Sequence, residues 1–101
     1  MVIMKTYKAI LRVIRSDEYR VKFVKSLKND LGQIHYDTNT ILICTKDPEE
    51  ILTTFVHELL HAAYEKDSET EILRKERELT KWLTFRHAKF LTVCMHNMAR
   101  G

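Results

Sequence analysis

Glycine and proline are nearly missing from this chain: Gly32, Gly101 and Pro48 are the whole supply in 101 residues. That scarcity leaves little material for long irregular loops and none for a glycine-rich phosphate cradle, so nucleotide-dependent chemistry is not expected. Cysteine is as sparse. Cys44 and Cys94 stand far apart, match neither a zinc-ribbon nor a redox spacing, and read as free buried thiols. No apolar run is long enough to span a membrane, and Met1 to Lys8 lacks the uninterrupted apolar core of a signal peptide, so the expected location is cytoplasmic. A hydrophobic content of 45% supports one modest core, hence a single domain over residues 1–101. The net charge of +3 is spread along the chain, too weak a signal for a nucleic-acid partner.

What is present is mostly helical patterning around a small sheet, an α+β arrangement. Ile3, Tyr7, Ile10, Leu11 and Ile14 fall at helical spacing, predicting an amphipathic N-terminal helix that ends near Arg15-Ser16-Asp17. Tyr19, Val21 and Phe23 then alternate with Arg20 and Lys22 in the period of a half-buried strand. Gly32 introduces a second strand through Tyr36, Asp37-Thr38-Asn39-Thr40 has hairpin chemistry, and Ile41 to Cys44 is a strongly apolar third strand. About three mostly antiparallel strands follow. Asp47-Pro48-Glu49-Glu50 marks a helix start, with Asp47 as cap, Pro48 in the first turn and Glu50 completing a capping box; the helix runs to about Glu65. Ser68 with Glu71 repeats the signature and opens C-terminal helices whose apolar stripe runs through Ile72, Leu79, Leu83, Phe90, Cys94 and Met98, with a break near Thr84-Phe85.

Within the helix after Pro48 lies His57-Glu58-Leu59-Leu60-His61. Histidines four apart share one helix face and can reach a single metal ion, while the glutamate between them lies close enough to activate a water. Chance supplies this pentapeptide in roughly one chain of this size in a few hundred. Here it is flanked by Ile51, Leu52, Phe55, Val56, Ala62 and Ala63, so the helix must be largely buried. Burying imidazoles and a carboxylate without partners costs several kcal/mol, and a divalent cation, Zn2+, is the partner that these residue types fit.

Catalytic zinc takes three protein ligands and keeps an open position for water, so a third ligand must lie elsewhere. Glu69, Glu71, Glu76, Glu78, His87 and His96 are the candidates. On the next helix the core-facing line runs Ile72, position 76, Leu79, Leu83, and the acid interrupting it is Glu76. Glu71, Lys75 and Glu78 share a charged face that reads as solvated, and Glu69 sits in a first turn where the helix dipole alone favours acids. His87 and His96 lack a local histidine pattern.

The segment Thr54-Phe55-Val56-His57-Glu58-Leu59-Leu60-His61-Ala62-Ala63 resembles the extended zincin signature. Glu76 to Leu83 is similar to the glutamate-ligand helix of the gluzincins, above all the ImmA/IrrE-type and phage-encoded small metallopeptidases. The resemblance covers roughly Gln33 to Leu83. It implies Glu76 as third ligand, Thr80 as a residue steadying a metal-bound histidine, and Ile41 to Ile43 as an edge strand beside the cleft. Thr80 stands where the larger gluzincins carry an acid or amide, and their long C-terminal subdomain has no counterpart.

The expected function is zinc-dependent hydrolysis of a peptide or protein substrate, with Glu58 as general base and Tyr64, His35 or Tyr36 as candidate donors to the developing oxyanion. An extended substrate could add to the Ile41–Cys44 strand. By family analogy the substrate would be a regulatory protein in a phage or bacterial cytoplasm. An alternative is a zinc-binding regulatory or interaction protein with little or no turnover, against which Glu58 stands, because a structural site has no use for a base. A DNA-associated role would rest on Arg74-Lys75, Lys81, Arg86 and Lys89, a series whose interleaved acids read as a solvated face. Oligomeric state is not legible in the sequence.

Overall fold

The computed structural model describes residues 2–100. Helix α1 (Val2–Arg15) is followed by strands β1 (Arg20–Val24), β2 (Gly32–His35) and β3 (Thr40–Cys44), and then by α2 (Ile51–Ala63), α3 (Glu69–Trp82) and α4 (Phe85–Arg100). This is an α+β architecture with the expected order of elements. The sheet differs in one respect. Its strand order is β1-β3-β2, with β1 parallel to β3 and β2 antiparallel to β3, so it is mixed rather than mostly antiparallel. Local alternation sets which residues face inward but carries no information on strand direction, which the long-range pairing of β1 decides.

That pairing also corrects the expected edge. Ile41 to Cys44 lies in the central strand, with both sides hydrogen-bonded, and β2 is the outer strand next to α2. Burial explains the choice: Ile41 and Ile43 are fully buried, paired in register with Val21 and Phe23 on one side and with Ile34 and Gly32 on the other. The most apolar strand therefore sits where both neighbours shield it. Asn39 closes the β2–β3 hairpin at φ 51°, a left-handed conformation that asparagine tolerates better than most residues.

Helix α2 runs through the centre of the molecule. Phe55, Val56, Leu59 and Leu60 are fully buried against Ile10 of α1, Ile41 and Ile43 of the sheet, Ile72 and Leu79 of α3, and Leu91 and Met95 of α4. The Asp47 side chain makes no capping hydrogen bond. Pro48 instead opens a 3₁₀ turn, Pro48–Glu50, from which α2 continues. At α3 the box is complete: Ser68 Oγ accepts from the Glu71 N–H at 3.3 Å and the Ser68 N–H donates to Glu71 Oε1 at 3.1 Å.

The break falls at Leu83-Thr84, as expected, and it resets the helical phase. On α4 the buried line is Leu91, Cys94 and Met95, whereas Phe90 is half exposed. Of the expected stripe on this helix, Cys94 and Met98 meet the core and Phe90 does not, its place being taken by Leu91. Cys44 and Cys94 are free and buried. No helix among the described residues is long and apolar enough to cross a membrane.

Gly32 brings the outer strand against the metal-motif helix. A Cβ at this position would stand 2.4 Å from Thr54 Cγ2 and 3.0 Å from Glu58 Oε2. Because a β-branched side chain on a helix has little rotamer freedom, only glycine allows this approach without a shift of strand or helix.

Candidate metal centre

His57 and His61 project from one face of α2 toward the first turn of α3. Three ligand atoms meet there. His57 Nε2 lies 2.8 Å from Glu69 Oε1, His61 Nε2 lies 3.2 Å from the same oxygen, and the two Nε2 atoms are 3.2 Å apart. Metal–ligand bonds of about 2.0–2.1 Å in tetrahedral geometry place neighbouring ligand atoms about 3.3 Å apart, so the group fits a single small cation after slight expansion.

The hydrogen-bond chemistry points the same way. His57 Nδ1 sits 2.6 Å from Glu76 Oε1, and an ionised carboxylate can only accept, so Nδ1 carries the proton. In the neutral ring this leaves a lone pair on Nε2, aimed at a carboxylate oxygen and a second imidazole nitrogen. A single proton can bridge one pair of these atoms at a time. A metal cation satisfies all three, and His57, His61 and Glu69 are a group that could hold one.

Glu76, expected as the third ligand, is on the far side of the His57 ring. Helix periodicity correctly set it facing α2, with its side chain only 20% exposed, but its carboxylate is engaged with Nδ1. There it fixes the imidazole's tautomer and orientation, as acids behind metal-bound histidines do. Glu69, rather than Glu76, completes with the two histidines the group that could hold a metal ion. The two glutamates are seven residues apart, two helical turns, so they share a face; Glu69 looks like a solvated first-turn acid from sequence because its side chain is 57% exposed. The i, i+7 pair of glutamates was the available signal for both.

Thr80 does not reach a histidine. Its hydroxyl donates to the Arg77 carbonyl at 3.2 Å, one turn back on its own helix. Tyr64 caps the end of α2 with its ring 4.5 Å beneath the Lys75 ammonium, and Lys75 also pairs with Asp67. His35, beside Gln33 Oε1 at 3.1 Å, alternates with Ile34 and lies on the sheet face away from α2. Neither Tyr64 nor His35 lines the cleft described below. The Tyr36 hydroxyl donates to the His61 carbonyl at 3.1 Å; burial, then Glu65, Tyr19 and Glu58, push its pKa up, so it stays a donor that braces the end of the motif helix. His87 Nδ1 accepts from the Thr84 N–H at 2.9 Å while its ring stacks on Trp82, and His96 packs against Phe23. Neither lines the cleft described below.

His57 opens onto a cleft of about 350 Å³ between the start of β2, the 3₁₀ turn, α2 and α3. Glu58, only 5% exposed, lines it together with His57, Glu69 and Glu76. Comparison with protein-family models, curated proteins and solved structures finds no match for this chain. The chemistry of the site therefore rests on its own residues.

Burial raises the Glu58 pKa from 4.5 to about 7; His57 opposes the shift, and the Glu69, Asp30 and Glu76 charges add to it. The unfolded chain ionises Glu58 near 4.5 whereas the folded, metal-free protein keeps the proton until about pH 7. The resulting stability is present at low pH and lost as pH rises through this window. Chelator-treated protein is expected to lose up to about 3 kcal/mol of unfolding free energy from this group between those pH values. Urea denaturation across the range measures the slope, and Glu58→Gln should remove it.

Proposed function

We propose that this chain is a zinc-dependent peptide hydrolase in which His57, His61 and Glu69 hold the metal and Glu58 is the general base. The observation that carries the proposal is the convergence of three electron-pair donors at 2.8–3.2 Å beside a buried carboxylate in an open cleft. A structural zinc site closes its fourth position with another ligand and has no need of a carboxylate held beside it.

Zinc held here would supply Lewis acidity, polarising a peptide carbonyl and lowering the pKa of a neighbouring water toward about 7. The nearby cation also favours the ionised form of Glu58. Glu58 takes the proton of the attacking water and passes it to the departing amine nitrogen. Glu76 keeps the proton of His57 on Nδ1 throughout, so that Nε2 stays available as a ligand. The free edge of β2, whose first residue Gly32 lines the cleft, offers backbone groups to an extended substrate.

This function is consistent with the gluzincin-like resemblance of the sequence, with the third ligand moved two helical turns toward the N-terminus. The test is metal content together with hydrolysis of a flexible peptide mixture read by mass spectrometry. One equivalent of zinc is expected, with cleavage abolished by chelation and restored by zinc. Full occupancy with no cleavage of any peptide would favour a zinc-binding regulator instead.

A further inference from the structure

The cleft is lined by acids without a lysine or arginine among them: five of its twelve lining residues are carboxylates, Asp30, Glu50, Glu58, Glu69 and Glu76. In a chain with 17 basic and 14 acidic residues, this concentrates acids where no base accompanies them. A divalent cation would offset two of these five charges, and the walls would remain anionic.

Glu69 and Glu76 are occupied with the histidines, but Asp30 and Glu50 have no part in that network. Among the described residues neither forms an ion pair, and the one hydrogen bond on Asp30 is a long one from Gln33 Nε2 at 3.4 Å. Glu58, nine-tenths buried, faces the same cavity with no hydrogen-bond donor on its carboxylate among the described residues. The cavity is thus built around polar groups that await a partner. Leu31 and Leu73, both about two-fifths exposed, form apolar lips on it.

Building on the peptidase function, we propose that the cleft selects peptide segments with lysine or arginine beside the scissile bond, through Asp30 and Glu50. The long side chains of these residues suit the lining. Their methylenes cover Leu31 and Leu73 while the cationic head reaches a carboxylate, and an acidic side chain in the same place meets only like charge.

The test compares three peptides on one flexible scaffold that differ only in Lys, Gln or Glu next to the cleaved bond, using the zinc-loaded protein. The Lys peptide is expected to exceed the Gln peptide about tenfold in kcat/KM at low salt, with the Glu peptide lowest, and the spread should shrink as ionic strength rises. Asp30→Asn and Glu50→Gln should each cut the Lys-to-Gln ratio about threefold, whereas Glu78→Gln, on an exposed face paired with Arg74, should not move it. Any effect of these changes on Glu58 cancels in the ratio. Equal cleavage of Lys and Gln peptides with unchanged ratios would overturn the selectivity and leave the hydrolase standing. If no peptide is cut, fluorescence anisotropy of the same peptides with zinc-loaded wild type decides: tighter, salt-sensitive binding of the Lys peptide upholds the charge selection without hydrolysis, and equal binding overturns it.

Discussion

Glu58→Gln is expected to retain one equivalent of zinc while peptide hydrolysis falls by about 10²–10⁴-fold in kcat, the usual contribution of a general base. Glu58 stands outside the convergent group formed by His57, His61 and Glu69, so its removal should leave the ligand atoms in place. The amide has the same shape and is easier to bury than a carboxylate, but it cannot accept the water's proton. Elemental analysis and a discontinuous peptide assay on the same preparation separate the two effects. Loss of zinc in this variant would show that Glu58 serves as a ligand and would remove the basis for a base-assisted mechanism.

Glu69→Ala should lower zinc affinity by about 10³-fold or more, while Glu76→Ala, which touches only the outer nitrogen of His57, should cost the 10–100-fold typical of residues behind a ligand. Thermal stability gives an independent reading. At zinc one hundred times its Kd, binding stabilises the folded state by about 2.7 kcal/mol, which for a domain of this size corresponds to a Tm increase of roughly 10–20 °C. That increase should vanish in Glu69→Ala at the same zinc concentration and persist in reduced form in Glu76→Ala. The reverse ranking would identify Glu76 as the ligand and would mean that the two glutamates exchange places on metal binding.

Much of the local structure was readable because it depends on neighbours in sequence. Ser68 and Glu71 cap α3 by reaching three residues along the chain, and the capping box is present as expected. At Asp47 the same pattern was misleading: the proline-led segment takes a 3₁₀ turn and leaves the aspartate side chain without a capping bond. On α4 one position failed: Cys94 is buried and Met98 packs on the core as expected, but Leu91 and Met95 fill the core where Phe90 was expected, and Phe90 is half exposed.

For the site, the sequence by itself determined that two histidines share one face of a buried helix with a glutamate between them, and it offered four acids and two histidines downstream as a further partner. An i, i+4 pair on a buried helix has only one place to point. What only the tertiary structure decided is which acid, and against what. Glu69 and Glu76 lie on the same face of α3, and periodicity cannot rank two residues that differ by whole turns; the packing of α3 against α2 does so, setting Glu69 beside both Nε2 atoms and Glu76 behind His57. The edge of the sheet was likewise a question of long-range pairing. Residues 41–44 are apolar whether central or peripheral, and it is the parallel docking of β1 on β3 that leaves β2, with Gly32 and the acidic rim before it, to form the wall of the cleft.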